Sequence, residues 1–309
     1  MNGQFKYHVL AFVVIALWGV TFISTKVLIS EGLQPSQIFA LRFVVAYLGI
    51  WFLCRNDQSR RLVSSSLGDE LLFVLLGVSG GSLYFLTENT ALVYTQACNV
   101  SFIVCSAPLL TTLLTLIARK VLRGRLADGL QDVKVSTSLV LGTVLALTGM
   151  AAVLFDGNSV HLSGKGEILA FCAALCWAVY SIFMSQMTEE YGAVFATRKV
   201  FFYGLLTIIP FIIGTPFDVR TLAKPDVWGN LLFLSLVASL GCFVVWNKVM
   251  AKIGNVTSTN YIYLNPFFTL VFAVILLGET LTLQSALGCL AIVGGVIIGG
   301  IEKQPLRRT

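Results

Sequence analysis

The chain has 309 residues, 57% of them hydrophobic and only 12% charged, with a formal net charge of +6 and a mean hydropathy of +0.86. Soluble domains carry about 25% charged residues, so this chain lacks the polar surface to face water all round, and composition selects an all-α integral membrane protein. Its Lys and Arg fall in short connections between apolar runs, with no helix-turn-helix or aromatic-basic RNA motif, so the positive balance reads as a topology signal and excludes a nucleic-acid partner.

Crossing the hydrocarbon takes about 20 predominantly apolar residues, and ten segments meet or approach that length. Span one, Val9–Leu28, has Trp18-Gly19 at its centre, unlike the short core of a cleaved signal, with Thr21 and Lys26 further on. Span two, Ile38–Cys54, holds Arg42; span three, Leu71–Thr90, holds Tyr84 and Glu88. Span four, Ala97–Ile117, is centred on Pro108, and span five, Ser138–Phe155, ends the first half. Span six, Ile168–Met187, carries Trp177 and Tyr180; spans seven and eight are Phe195–Ile213 and Val227–Trp246. Span nine, Val256–Leu277, contains Tyr263, Asn265 and Pro266. Span ten, Leu283–Ile301, offers Gly295 and Gly299 as a close helix contact, either within the chain or in a homodimer seam, so the chain is expected as monomer or homodimer. The shortest connections lie near Tyr94 and Gly254.

Ten spans put both termini on one side. That side collects Lys6, Arg55, Arg60, Arg61, the Arg119–Lys134 connection, Arg198, Lys199, Lys248, Lys252, Lys303, Arg307 and Arg308; the opposite loops hold Lys165, Arg220 and Lys224. The positive-inside rule therefore predicts both termini in the cytoplasm.

The halves echo each other. LWGVTF around Trp18 matches CWAVYS around Trp177, LRF with Arg42 matches TRK with Arg198, and SAPLLTTLL around Pro108 matches LNPFFTLVF around Pro266. Asn89 and Asn247 keep the 158-residue offset of the two prolines. Residues 1–156 and 157–309 read as two five-helix repeats, and five being odd, the second must enter the membrane inverted, an architecture of many secondary transporters.

On these motifs, together with YTQACNVSF before Pro108, NVTSTNYIYLNP ending at Pro266 and LLGETLT with Gly278-Glu279, the chain resembles the drug/metabolite transporter superfamily, in its EamA-type ten-helix branch. One departure is ARKVLRGRL in the first repeat, longer and more basic than the Gly-Glu connection of many relatives. The resemblance implies a carrier of amino acids or related metabolites, with export the expected direction, in the cytoplasmic (inner) membrane of a bacterium.

Pro108 and Pro266 each remove a helical hydrogen bond and release the carbonyl four residues earlier, at Val104 and Ile262. In lipid such groups need a partner, so two symmetry-related kinks suggest carbonyls offered to a central cavity; packing kinks are the alternative. Trp18 and Trp177 sit mid-span, away from the usual interfacial belts, and with Thr21, Tyr84, Tyr180, Tyr263 and Asn265 they are candidate substrate-binding residues. Asn265 precedes a proline, which biases it away from helical geometry and would display its amide. Glu88, Lys26 and Arg42 are candidates for a proton or substrate-amine site, or for a structural ion pair. The match of Arg42 with Arg198 suggests that those two share an architectural role. Seven cysteines without CxxC spacing and two lone histidines, His8 and His161, offer neither a disulfide framework nor a metal site, and no cofactor is expected. The expected activity is alternating-access transport of a small molecule; a passive channel or a membrane-embedded enzyme are the other classes, without a filter loop or a catalytic pair to support them.

Overall fold

In hydrocarbon every backbone N–H and C=O must be satisfied within the chain, which leaves helices as the economical solution. The computed structural model, which describes residues 4–54, 57–95, 97–124, 126, 129–130, 136–154, 164–277 and 283–301, forms ten helical passes. They are α1 (Phe5–Ser30), α2 (Pro35–Trp51), α3 (Leu67–Tyr94), α4 (97–121), α5 (Thr137–Leu154), α6 (Lys165–Tyr191), α7 (Ala193–Ile212), α8 (Pro225–Ile253), α9 (255–277) and α10 (Leu283–Ile301). The Gly278-Glu279 pair, His161, the proposed repeat boundary at 156/157, and Arg55, Arg125, Lys134, Lys303, Arg307 and Arg308 lie outside the described residues.

Several helices outrun the apolar segments that announced them. Helix α3 begins at Leu67, where the Ser66 hydroxyl accepts from the Asp69 N–H as an N-cap, and α8 continues past Trp246 through Lys248 and Lys252. Helices α8 and α9 are separated by Gly254 alone, and α6 and α7 by Gly192 alone; these glycines have φ of 85° and 81°, a left-handed conformation that lets the chain reverse within one residue. Outward rows of Leu, Ile, Val and Phe, such as Val9, Phe12 and Val13 on α1 and Leu287, Leu290 and Ile297 on α10, form the lipid-facing surface.

The helix contacts are invariant when the two halves are exchanged. Helix α1 packs on α8 and α9, and α6 on α3 and α4; α2 lies along α8, and α7 along α3. The pairs α2–α7 and α5–α10 each join a helix to its own counterpart. The copies run in opposite senses. Lys165 at the start of α6 donates to the Tyr94 hydroxyl at the end of α3 (2.8 Å), while Tyr191 at the end of α6 accepts from the Ser65 N–H before α3 (3.0 Å). The end of the bundle at which α1 begins is called proximal below, and the opposite end distal.

The glycine face of α10 is spent inside the chain. A Cβ on Gly295 would lie 2.5 Å from the Gly142 carbonyl of α5, and one on Gly142 would lie 2.4 Å from the Gly299 nitrogen, so α5 and α10 touch backbone to backbone.

Two departures from regular helix recur at equivalent places. Helix α3 is π-helical over Val78–Ser82 with a kink at Gly81 (φ −123°, ψ −105°), and α8 is π-helical over Phe233–Gly241. The proline helices are broken outright where the sequence suggested kinks. Helix α4 consists of Ala97–Val104 and Ala107–Val121 around a turn at Cys105 and Ser106, and α9 of Asn255–Thr259, a 3-10 stretch Asn260–Leu264, and Asn265–Leu277. Pro108 and Pro266 occupy the second position of the new helix in each case, where a missing N–H costs nothing.

Candidate substrate site

The broken and widened helices meet midway along the bundle. A wider turn disrupts the regular backbone ladder and frees carbonyls for side-chain donors, and the π-helical stretch of α8 accepts two. Trp18 Nε1 donates to the Ala238 carbonyl (3.0 Å), and Arg42 Nε to the Leu234 carbonyl (3.1 Å) and to Ser239 Oγ. Helices α1 and α2 of the first repeat are thereby pinned, through their most distinctive residues, to α8 of the second.

Beside these anchors is a cavity of about 30 Å³, opening into a wider space of about 420 Å³ that includes its mouth. Helix α1 contributes Trp18, Thr21 and Phe22, α2 contributes Arg42, and α3 contributes Tyr84, Phe85 and Glu88. The second repeat supplies Trp177 from α6, Phe243 from α8, and Ile262 and Asn265 from α9, with Val104 of α4 completing the wall. Larger hollows lie at the proximal end, where Ser59, Thr188, Glu189, Lys248 and Lys252 are among the lining residues, and along α1, α9 and α10.

The aromatic walls interlock. Trp18 meets Trp177 edge to face, with ring centroids 5.3 Å apart and planes at 89°, so the matched tryptophans of the two repeats touch. Tyr84 packs on Trp177 at 5.1 Å, and Phe243 lies 5.7 Å from Trp18. The Arg42 guanidinium carbon stands 4.6 Å from the Phe85 centroid, a cation–π contact of the desolvated kind. The Tyr84 hydroxyl donates to Glu88 Oε1 at 2.6 Å, one helical turn along the same face.

A model of the EamA-like transporter family matches residues 5–124 and 164–299, one stretch in each half. The chain belongs to that family. It is similar to an "Uncharacterized transporter" of Archaeoglobus fulgidus, 26% identical over 298 residues that cover 95% of this chain and 96% of that protein. It is also similar to a "Probable amino-acid metabolite efflux pump" of Salmonella typhimurium, 25% identical over 299 residues and covering 94% and 93%. One solved crystal structure superposes with a TM-score of 0.70 at 17% identity, covering 95% of this chain and 96% of that one, which shows a shared fold. This EamA-like chain is thus a multi-pass membrane transporter acting on a small molecule.

The EamA-like structure gathers some of the sequence candidates and separates others. Trp18, Thr21, Tyr84, Trp177, Asn265, Glu88 and Arg42 share the cavity. Tyr180 does not line it: its ring lies over Gly80, where a Cβ would fall 2.1 Å from Tyr180 Cδ2, and its hydroxyl donates to Asn247. Tyr263 is buried beside Thr143 of α5, away from the cavity wall. Lys26 neither joins the cavity nor pairs with Glu88; its Nζ donates to the Leu92 and Thr95 carbonyls at 2.6 and 3.4 Å, closing the end of α3 as a cation does at a helix C-terminus. Glu88 and Arg42 line the same cavity without an ion pair within 4 Å. Arg198 does not share the role of Arg42, since it reaches the Arg61 carbonyl at the proximal end.

Pro108 and Pro266 stand behind the wall, while Val104 and Ile262, the residues whose carbonyls they release, are part of it. The Ile262 carbonyl accepts from the Cys105 thiol at 3.2 Å, which ties the two breaks to each other. Asn265 is helical, with φ −54° and ψ −51°, against the bias of a residue before proline; its amide faces the cavity because it opens a new helix. Phe22, Phe85 and Phe243 were not singled out, although Phe85 and Phe243 carry the 158-residue offset of the matched asparagines and prolines.

Proposed function

We propose that this transporter is a secondary carrier that moves an amino acid or related metabolite, outward, across the cytoplasmic (inner) membrane of a bacterium by alternating access. The observation that carries the reading is one cavity, midway along the helices, walled by both inverted repeats and holding polar groups among aromatic ones. Rocking one repeat against the other around such a site exposes it to each side in turn. The efflux-pump name of the Salmonella typhimurium relative supports the substrate class and the direction. The crowding of Lys and Arg toward the proximal end supports a cytoplasmic placement of that end and of both termini.

Counterflow in proteoliposomes against a panel of amino acids, nucleobases and sugars tests the reading directly. Asn265→Ala and Trp177→Ala should raise the apparent transport constant with expression unchanged. Each lost neutral hydrogen bond is worth about 0.5–1.5 kcal/mol. Unchanged kinetics in both variants would remove the site. Thiol labelling of single cysteines at Lys165 and Lys224 from outside, and at Arg119 from inside, tests the orientation.

A further inference from the structure

The hollow at the proximal end encloses about 370 Å³ between the end of α2, the corner joining α6 to α7, and the last turns of α8. Its lining is cationic on balance. Lys248 and Lys252 stand one turn apart on α8, both exposed, and neither has a hydrogen bond or ion pair among the described residues. Glu189, the carboxylate among the lining residues, has an interaction of its own. The unsatisfied charge therefore favours an anion.

The corner adds hydrogen-bond donors. Helix α7 opens at Ala193 behind Gly192, which has no side chain to cap it, and the N–H groups of Ala193, Val194 and Phe195 meet no acceptor among the described residues. These residues line the hollow. Free N–H groups at the positive end of a helix dipole attract anions. A buried side chain points the same way. Thr188 lines the hollow and is 5% exposed, yet its hydroxyl has no hydrogen-bond partner, although a helical threonine commonly bonds back to its own helix. A buried hydroxyl without a partner in the chain calls for one from outside it. In the other repeat the matching features are closed. Gln34 and Gln37 cap the start of α2 reciprocally, and Thr90 and Tyr94 hold, at the 158-residue offset, the places of Lys248 and Lys252.

The rest of the wall decides what carries the anion. Leu53, Val194, Val244 and Ala251 also line the hollow. Leu53 and the neighbouring Phe52 are 40% and 84% exposed, apolar surface at the end of a membrane helix. A soluble anion gains nothing from such a wall, whereas the acyl chains of a lipid do. We propose that this hollow holds the phosphate headgroup of an anionic phospholipid from the leaflet at the proximal end. The α7 N–H groups and the Thr188 hydroxyl donate to the phosphate oxygens, Lys248 and Lys252 supply the charge, and the first acyl carbons lie against Leu53 and Val244. A lipid so held bridges the α6–α7 corner to α2 and α8 and stabilises the proximal end.

The test uses the purified full-length protein in detergent, with native mass spectrometry reading bound lipid and thermal unfolding reading stabilisation. The probes are dioleoylphosphatidylglycerol, dioleoylphosphatidylcholine (the same chains without net charge) and glycerol 1-phosphate (a phosphate without chains). A lysine near the membrane surface is worth about fivefold toward anionic lipid, so phosphatidylglycerol should bind about tenfold or more tightly than phosphatidylcholine. The double change Lys248→Gln with Lys252→Gln should remove most of that preference. Thr188→Val keeps the shape of the side chain and breaks no bond within the protein. It should leave the lipid-free unfolding temperature unchanged while weakening phosphatidylglycerol about fivefold, the scale of one hydrogen bond. Equal binding of the two lipids by the parent protein overturns the inference. So does a preference that survives the double lysine change, which places the lipid elsewhere on the bundle. If glycerol 1-phosphate displaces phosphatidylglycerol at equal concentration, the hollow serves a soluble anion and the lipid assignment fails.

Discussion

At the proximal end, the stretch between α2 and α3 is gripped by α7 through cations. Arg198 donates to the Arg61 carbonyl and Lys199 to the Leu62 carbonyl (3.0 Å), and Lys199 also pairs with Glu70, which collects the hydroxyls of Ser64 and Tyr203. At the distal end the equivalent stretch, between α7 and α8, is gripped by α2 through one neutral amide. Gln37 Nε2 donates to the Thr215 and Pro216 carbonyls at 3.5 and 3.1 Å. Further distal contacts of this stretch are a hydrogen bond from the Thr221 hydroxyl to the Glu31 carbonyl (3.3 Å) and an ion pair at the surface, Lys224 with Glu31 at 2.5 Å. The two copies thus use one device, a helix side chain holding the carbonyls of the partner copy's loop, in a strong charged form at one end and a weak neutral form at the other. On the alternating-access reading proposed above, the distal end is the one expected to yield first.

The comparison breaks most directly at Lys199. Lys199→Met strands Glu70, which is only partly exposed, and should lower stability by about 2 kcal/mol, between the cost of breaking an exposed pair and a buried one. Thermal unfolding in detergent reads the loss, and a cysteine at Ser64 should label faster from the proximal side. The double change Lys199→Gln with Glu70→Gln copies the neutral distal device onto the proximal end. It should recover much of that stability, to within about 1 kcal/mol of the parent. If the double variant is no better than Lys199→Met, charge is not what distinguishes the ends.

At the distal end Gln37→Ala should cost about 1 kcal/mol, the net value of a neutral hydrogen bond, and should speed labelling at Thr215 without affecting Ser64. The smallest effect belongs to Lys224→Gln, with no measurable change in unfolding temperature, because exposed pairs contribute little and salt screens them. The Glu31 carboxylate raises the Lys224 pKa above its ordinary 10.5. The contribution of that raised lysine is therefore complete below the ordinary value and is lost only as pH rises through the elevated one. An unfolding temperature of the Lys224→Gln variant that diverges from the parent between pH 6 and 9 would contradict this assignment.

The architecture was legible because its causes are written in composition. Apolar length gave the ten passes, and the matched Pro108 and Pro266 marked the two breaks. Side-chain direction was harder to read. Tyr180 follows Trp177 by three residues and belongs on its face by periodicity alone, but Gly80 leaves a hollow on α3 that draws the Tyr180 ring behind the wall. Lys26 and Glu88 fall at similar depths, yet Lys26 is claimed by carbonyls at the end of α3. Phe22, Phe85 and Phe243 carried no contrast, since a phenylalanine in a chain that is 57% hydrophobic resembles its surroundings. The π-helical stretch Phe233–Gly241 left little compositional mark, whereas Val78–Ser82 reads VSGGS, whose Gly-Gly pair is unusual inside an apolar span.

Those stretches make the transporter depend on how two of its helices are wound. A π turn takes up one residue more than the α turn it replaces, so Val78–Ser82 and Phe233–Gly241 work as phase settings on their helices. Winding 78–82 as regular α-helix without removing a residue would rotate everything after it by about 100°, carrying Tyr84 and Glu88 off the wall, whereas deleting the one extra residue would leave their faces in place. The same rewinding of 233–241 would turn Phe243 away and disturb the carbonyls on which Arg42 and Trp18 are moored. Substitutions around the cavity adjust what it holds, whereas these two short counts of residues decide which side of α3 and α8 it meets.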